Sequence, residues 1–97
     1  MRASTWGVIF SEFIRSKENW ISETQSIREF TSDVHDDELK WHFDNEDRTI
    51  VPLIENDWKF QFDNRLPIDI KEKIIIKKGE WHRLIKGKGD LRLLIIR

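Results

Sequence analysis

The last third of the chain constrains the fold most. Ile74-Ile-Ile76 ends at Gly79, Trp81 to Ile85 ends at Gly87, and Leu91 to Ile96 follows Gly89. Three apolar runs of strand length, each bounded by glycine, predict strand, turn, strand, turn, strand. Glycine suits those breaks because it enters tight-turn dihedrals without a Cβ penalty.

The same cadence extends upstream. Leu39, Trp41 and Phe43 alternate with Lys40, His42 and Asp44, and Trp58, Phe60 and Phe62 alternate with Lys59, Gln61 and Asp63. Period-2 alternation is the mark of a half-buried strand. Strands are expected near 39–44, 49–54, 58–63, 67–70, 73–77, 81–86 and 91–96, with turns at Asn56, Asn64, Gly79 and Gly87–Gly89. Pro52 places its strand at an edge or bulge, because proline has no N–H to donate. Toward the N-terminus, Phe10, Phe13, Ile14 and Ile21 recur at roughly helical spacing, with Ser11 as a cap, so a short helix is expected over 11–19. Ser22 to Phe30 reads two ways. Ser22 and Gln25 have capping-box spacing, while Gln25, Ile27 and Glu29 alternate as in a strand.

These signals describe one mostly β domain of 97 residues, a small β-barrel or jelly roll. Residues 1–38 form its short helical or irregular N-terminal segment, packing on the barrel, and residues 39–97 its core. A chain this short buries only about 60–70 % of its unfolded surface, so aromatic bulk must help. Five Trp and six Phe supply it. With no cysteine, disulfides and thiolate metal sites are excluded. No apolar run is long enough to span a bilayer, and Met1-Arg-Ala-Ser4 has no signal-peptide core behind it, so a cytoplasmic location is expected. Aromatic residues on several short strands exceed what so small a domain can cover, which predicts a homodimer.

Net charge is −1, unevenly spread. Residues 71–97 carry nine Lys/Arg against three Asp/Glu, whereas Asp33 to Asp47 holds seven acids and one Lys. A basic face for nucleic acid would rest on that charge alone. The basic residues alternate with core positions, so mutual compensation of the two segments is the better reading.

From Lys71 the chain resembles the second motif of the cupin superfamily, G-D-x-x-x-I-P-x-G-x-x-H. Ile76, Gly79 and His82 match in register, while Lys71, Glu72 and Lys77 stand for the family's glycine, aspartate and proline. Gly89-Asp-Leu-Arg-Leu-Leu-Ile-Ile96 resembles the closing strand of small cupins. The first motif, H-x-H followed by E and G, is matched by His42, with Asp44, Thr49 and Asn56 at the other positions. The resemblance covers about Leu39 to Arg97. It implies a small cupin-like barrel with one divalent metal ion, of the iron, manganese, nickel or zinc group, as its cofactor.

Physical spacing adds to this. Residues i and i+2 of a strand share a face, so His42 and Asp44 can reach one ion. His82 on a neighbouring strand completes a 2-His-1-carboxylate set, His42, Asp44 and His82. Thr49 offers no carboxylate, which leaves Glu46 or Asp47 to replace the family's glutamate. Arg48 and Arg83 are candidates to clamp a small polar ligand. The bland alternative turns Leu39, Trp41 and Phe43 into the core and leaves Lys40, His42 and Asp44 in solvent. Trp81 would then be the core residue and His82 the solvated one. His35, among Asp36, Asp37 and Glu38, is expected to be a solvated loop histidine.

Two functions follow. In the first, the barrel binds a small polar ligand through the metal, which in an enzyme would act as a Lewis acid or oxygen-activating centre. In the second, it is a metal-free, degenerate cupin-like interaction or regulatory module.

Overall fold

The structure is a computed structural model and describes residues 16–97. Eight strands run in chain order: β1 Lys17–Trp20, β2 Gln25–Phe30, β3 Arg48–Pro52, β4 Lys59–Phe62, β5 Ile68–Asp69, β6 Ile74–Ile76, β7 His82–Ile85 and β8 Leu91–Ile96. They form two antiparallel sheets, a five-stranded one in the order β1-β2-β8-β3-β6 and a three-stranded one in the order β5-β4-β7. The only helical element among the described residues is a 3₁₀ turn, Asp37–Leu39. No helix there is long and apolar enough to cross a membrane.

Alternation decides what lies between the sheets. Leu91, Leu93 and Ile95 of β8, Ile74 and Ile76 of β6, and Ile50 of β3 point inward from the large sheet. Trp58, Phe60 and Leu84 meet them from the small one. Trp58 is the largest fully buried side chain; it packs on Phe30 and donates Nε1–H to the Gly89 carbonyl at 2.7 Å. That bond satisfies its single polar atom.

The glycine turns form as expected. Gly79 sits at φ +83 with open space around it, so the left-handed backbone is what it supplies. Gly87 is required for space: a Cβ there would lie 2.7 Å from the Trp58 ring and 2.8 Å from the Asp57 carbonyl carbon. The Asp57 carboxylate accepts the Lys88 and Gly89 amides at 2.8 and 3.2 Å, which closes this turn onto the start of β4. β3 lies between β8 and β6 and is not the edge strand expected from Pro52; β6 pairs only with Arg48 to Ile50, so at Pro52 the missing N–H costs no ladder bond on that side.

Three further sequence expectations need correction. Of the helix expected over 11–19, residues 11–15 lie outside the described residues, and Lys17 to Asn19 belong to β1, paired with β2. Ser22 does accept amide hydrogens from Thr24 and Gln25, at 3.2 and 3.1 Å, but it caps the turn between β1 and β2. The strand expected over 39–44 is a 3₁₀ turn followed by a single bridge, His42 to His82. Asp36 explains the change, because its carboxylate accepts the Glu38 amide at 3.0 Å and so starts a helical turn in place of a strand.

Candidate metal centre

Upstream of β3, two hydrogen bonds dock the chain on the small sheet. The His42 amide donates to the His82 carbonyl at 3.1 Å, and the His82 amide to the His42 carbonyl at 2.9 Å. The Gly79 amide donates to the Asp44 carbonyl at 2.9 Å, fixing the next stretch. This pairing sets the parity of every side chain from Trp41 to Asp44 and from Trp81 to Arg83. His82 and Asp44 turn inward and are buried, and His42 is half-buried. Trp41, Phe43 and Trp81 turn outward. The alternative with the aromatics in the core and the histidines in solvent is therefore overturned.

The two imidazoles meet edge to face, 4.3 Å between centroids, and His82 stacks on Phe60 at 5.5 Å. Each histidine faces a carboxylate. His42 Nε2 lies 3.1 Å from Glu38 Oε1, and His82 Nε2 lies 3.4 Å from Asp44 Oδ2. The donor atoms of Glu38, His42 and His82 all lie within 4.8 Å of one another. Both rings turn their other nitrogen to a main-chain carbonyl: His42 Nδ1 to Lys40 at 2.7 Å and His82 Nδ1 to Glu80 at 2.7 Å. A carbonyl only accepts, so each Nδ1 carries the hydrogen and each Nε2 presents its lone pair when the ring is neutral. Metal-ligating histidines are held by outer partners of this kind.

His42 Nε2 is buried 3.1 Å from Glu38 Oε1, and in the neutral ring the two are both acceptors, so neither satisfies the other. A cation between these groups would satisfy both, so the donor set fits a divalent metal.

Two arginines complete the surroundings. Arg28 Nη1 lies 3.2 Å from Glu38 and Nη2 3.6 Å from Asp36, and Arg48 Nη1 lies 3.3 Å from Asp44. Burial raises the cost of ionising Glu38, but His42 and Arg28 outweigh it and lower its pKa. Asp44 is likewise held below its ordinary range, against burial, by His82 and Arg48. Burial opposes the charge on His42, yet Glu38, the Lys40 carbonyl and Asp44 prevail and raise its pKa. A cavity of about 20 Å³ touches Glu38, Asp44, Arg48 and His82, with Phe60 and Ile76 on its apolar side. It holds one water-sized group. The His42 and Glu38 side chains keep about a fifth of their surface exposed, against 3 % and 9 % for His82 and Asp44, so solvent reaches the cluster past the first pair.

The structure thus brings together His42, Asp44 and His82 and adds Glu38. Neither Glu46 nor Asp47 takes the position of the family's glutamate: Glu46 pairs with Arg48 and Arg97, and Asp47 with Lys77 and the Lys78 amide. Glu38 was not singled out from the sequence, because it lies in the acidic run Asp36 to Glu38 and in the 3₁₀ turn, where strand parity does not place it. Of the two arginine candidates, Arg48 lies beside Asp44, whereas Arg83 lies on the outer face, over the Trp41 ring at 4.7 Å and bonded to Gln61. His35 is exposed, as expected of a loop histidine.

No family model matches this sequence, and no curated protein matches it. Solved structures do match its fold. A cupin-2 domain protein of Shewanella frigidimarina aligns over 100 % of this chain and 92 % of its own, at 15 % identity and a TM-score of 0.55. A protein of Neisseria meningitidis aligns over 99 % and 96 %, at 14 % identity and 0.56. A cupin domain of Bordetella pertussis aligns over 88 % and 94 %, at 12 % identity and 0.54. The chain therefore has a cupin-like fold, in agreement with the resemblance carried by Ile76, Gly79 and His82.

Proposed function

We propose that this cupin-like domain binds one divalent metal ion through Glu38, His42 and His82, with Asp44 beside them, and offers it to a small polar ligand. The observation that carries this reading is the pair of imidazoles: both Nδ1 groups are tied to carbonyls, and both Nε2 atoms, lone pairs forward in the neutral rings, face carboxylates at 3.1 and 3.4 Å. A bound metal would supply Lewis acidity and lower the pKa of a coordinated water. The chain's own groups do the rest. Arg28 and Arg48 hold the Glu38 and Asp44 carboxylates in place, and Phe60 fixes the plane of His82. The small cavity restricts the inner face to a water-sized group, so a ligand approaches from the side of His42 and Glu38.

A second reading has its own support. Within the cluster, Asp36, Glu38 and Asp44 face Arg28 and Arg48, which leaves one negative charge that a protonated His42 neutralises. A metal-free core of this kind is self-consistent, and the domain would then serve as an interaction or regulatory module.

Calorimetric titration of metal-stripped protein with ferrous, manganous, nickel and zinc ions separates the two. The metal reading expects saturable binding near one ion per chain, lost in His82→Ala with the fold retained. Absence of saturable binding for all four ions leaves the metal-free module.

A further inference from the structure

The pairing of His42 with His82 that turns the polar groups inward also builds a surface. Residues 41–43, β7 and β4 lie side by side, and their outward positions form two rows. Phe43, Trp81 and Asp63 make one, because the Asp63 amide donates to the Trp81 carbonyl and Phe43 meets Trp81 edge to face at 5.0 Å. Trp41, Arg83 and Gln61 make the other, with Arg83 paired in register to Gln61. The three rings are 41 %, 46 % and 47 % exposed for Trp41, Phe43 and Trp81. Large aromatics left this open on adjoining strands are a recognised interface composition. A cleft of about 120 Å³ lies between Trp41, Trp81 and Asp63.

The patch also carries one charge of each sign that lacks an ionic partner within the described residues. Asp63 makes no ion pair with any described residue. Arg83 bonds only the neutral Gln61 and stacks on Trp41. Diagonal neighbours on adjacent strands lie about 7–8 Å apart, and Arg83 folds the other way, over the indole.

We propose that this face is an isologous interface with a second copy of the chain, in which Asp63 of each copy pairs with Arg83 of the other. Self-association of this kind needs a patch complementary to itself, which a face holding both signs around an apolar centre provides. A two-fold axis lying in the plane of the face and passing between Asp63 and Arg83 exchanges the two positions, so both ion pairs form together. The same operation brings Trp81 of the second copy toward the cleft beside Trp41. The outer face of the five-stranded sheet is the competing surface. Its aliphatics Ile27, Val51, Leu94 and Ile96 already shield one another, and only Ile75 there is more than half exposed.

Sedimentation velocity from micromolar to millimolar protein tests the proposal, with circular dichroism to confirm that each variant folds. The wild type is expected to dimerise, and dimerisation to weaken with added salt. Asp63→Arg and Arg83→Asp each place like charges across the interface and should weaken the dimer at least tenfold. The double variant restores opposite charges and should recover most of the loss. Trp81→Ala should weaken it as well, whereas Ile75→Asp should leave it intact. A monomeric wild type at millimolar concentration overturns the proposal. So does a dimer broken by Ile75→Asp and indifferent to Asp63→Arg, or a double variant no better than the single ones. None of these outcomes depends on whether metal is bound, so the proposed function stands or falls separately.

Discussion

His42 and His82 occupy unequal positions, and the difference is measurable. His82 is buried against Phe60 and beside Asp44, while His42 sits nearer solvent beside Glu38. Glu38→Gln removes a ligand charge and should lower metal affinity beyond the ~10–100-fold that losing an outer partner costs. Asp44→Asn should fall within that range, because Asp44 stands behind His82 and shares its charge with Arg48. Equal losses in calorimetric titration of the two variants would show that Asp44 ligates directly. Protons compete with metal for His42, and Glu38 raises its pKa above the ordinary ~6.5. Metal affinity should therefore begin to fall already above that pH as the solution is acidified. At this scale His42 and Asp44 were legible from i, i+2 spacing and a partial first motif, and His82 from the second motif. Glu38 was hidden because the acidic run from Asp36 to Glu38 has no apolar alternation to reveal which carboxylate turns inward.

Among the elements, the 3₁₀ turn Asp37–Leu39 matters most, because it delivers Glu38. It depends on Asp36, whose carboxylate accepts the Ser16 amide at 2.9 Å, the Ser16 hydroxyl at 2.6 Å and the Glu38 amide at 3.0 Å, and faces Arg28. Asp36→Ala should cost about 2–3 kcal/mol in urea denaturation, since it strips a cap and leaves buried donors unpaired. It should also weaken metal binding although Asp36 touches no ligand ring. A variant of wild-type stability would mean that the turn is held by its neighbours alone. The strand expected over 39–44 fails for a physical reason. Alternation reports which face a side chain takes, and here the faces are right, but one bridge to His82 replaces a ladder. Ser22 shows the converse, with capping bonds formed where no helix follows.

Over the whole molecule, the order of strands was not legible. β8 lies between β2 and β3, so Gln25 to Phe30 pair with Leu91 to Ile96 across most of the chain, and no local pattern records that pairing. Residues upstream of Leu39 thus enter the main sheet. The same closure gathers Arg28 from β2, Arg48 from β3 and the Asp36–Asp44 segment into one charged cluster, and its titration should govern stability. Asp36, Glu38 and Asp44 have lowered pKa values in the fold. Groups of this kind stabilise above their unfolded values of ~3.9 and ~4.3, and that contribution disappears as pH falls through the folded values. His42 has the opposite sign. Its raised pKa adds stability that is complete below ~6.5 and lost as pH rises through the folded value, because the native state then binds more protons than the unfolded one. The metal-free protein should accordingly be most stable between about pH 5 and 6.5, and should decline on both sides. Loading with metal should abolish the alkaline decline, since the ion takes the place of the His42 proton, and His42→Ala should abolish it without metal. Urea denaturation of the stripped, loaded and His42→Ala proteins from pH 4 to 9 measures all three curves. An alkaline limb that persists unchanged in His42→Ala would place the controlling proton on another group and sink this account.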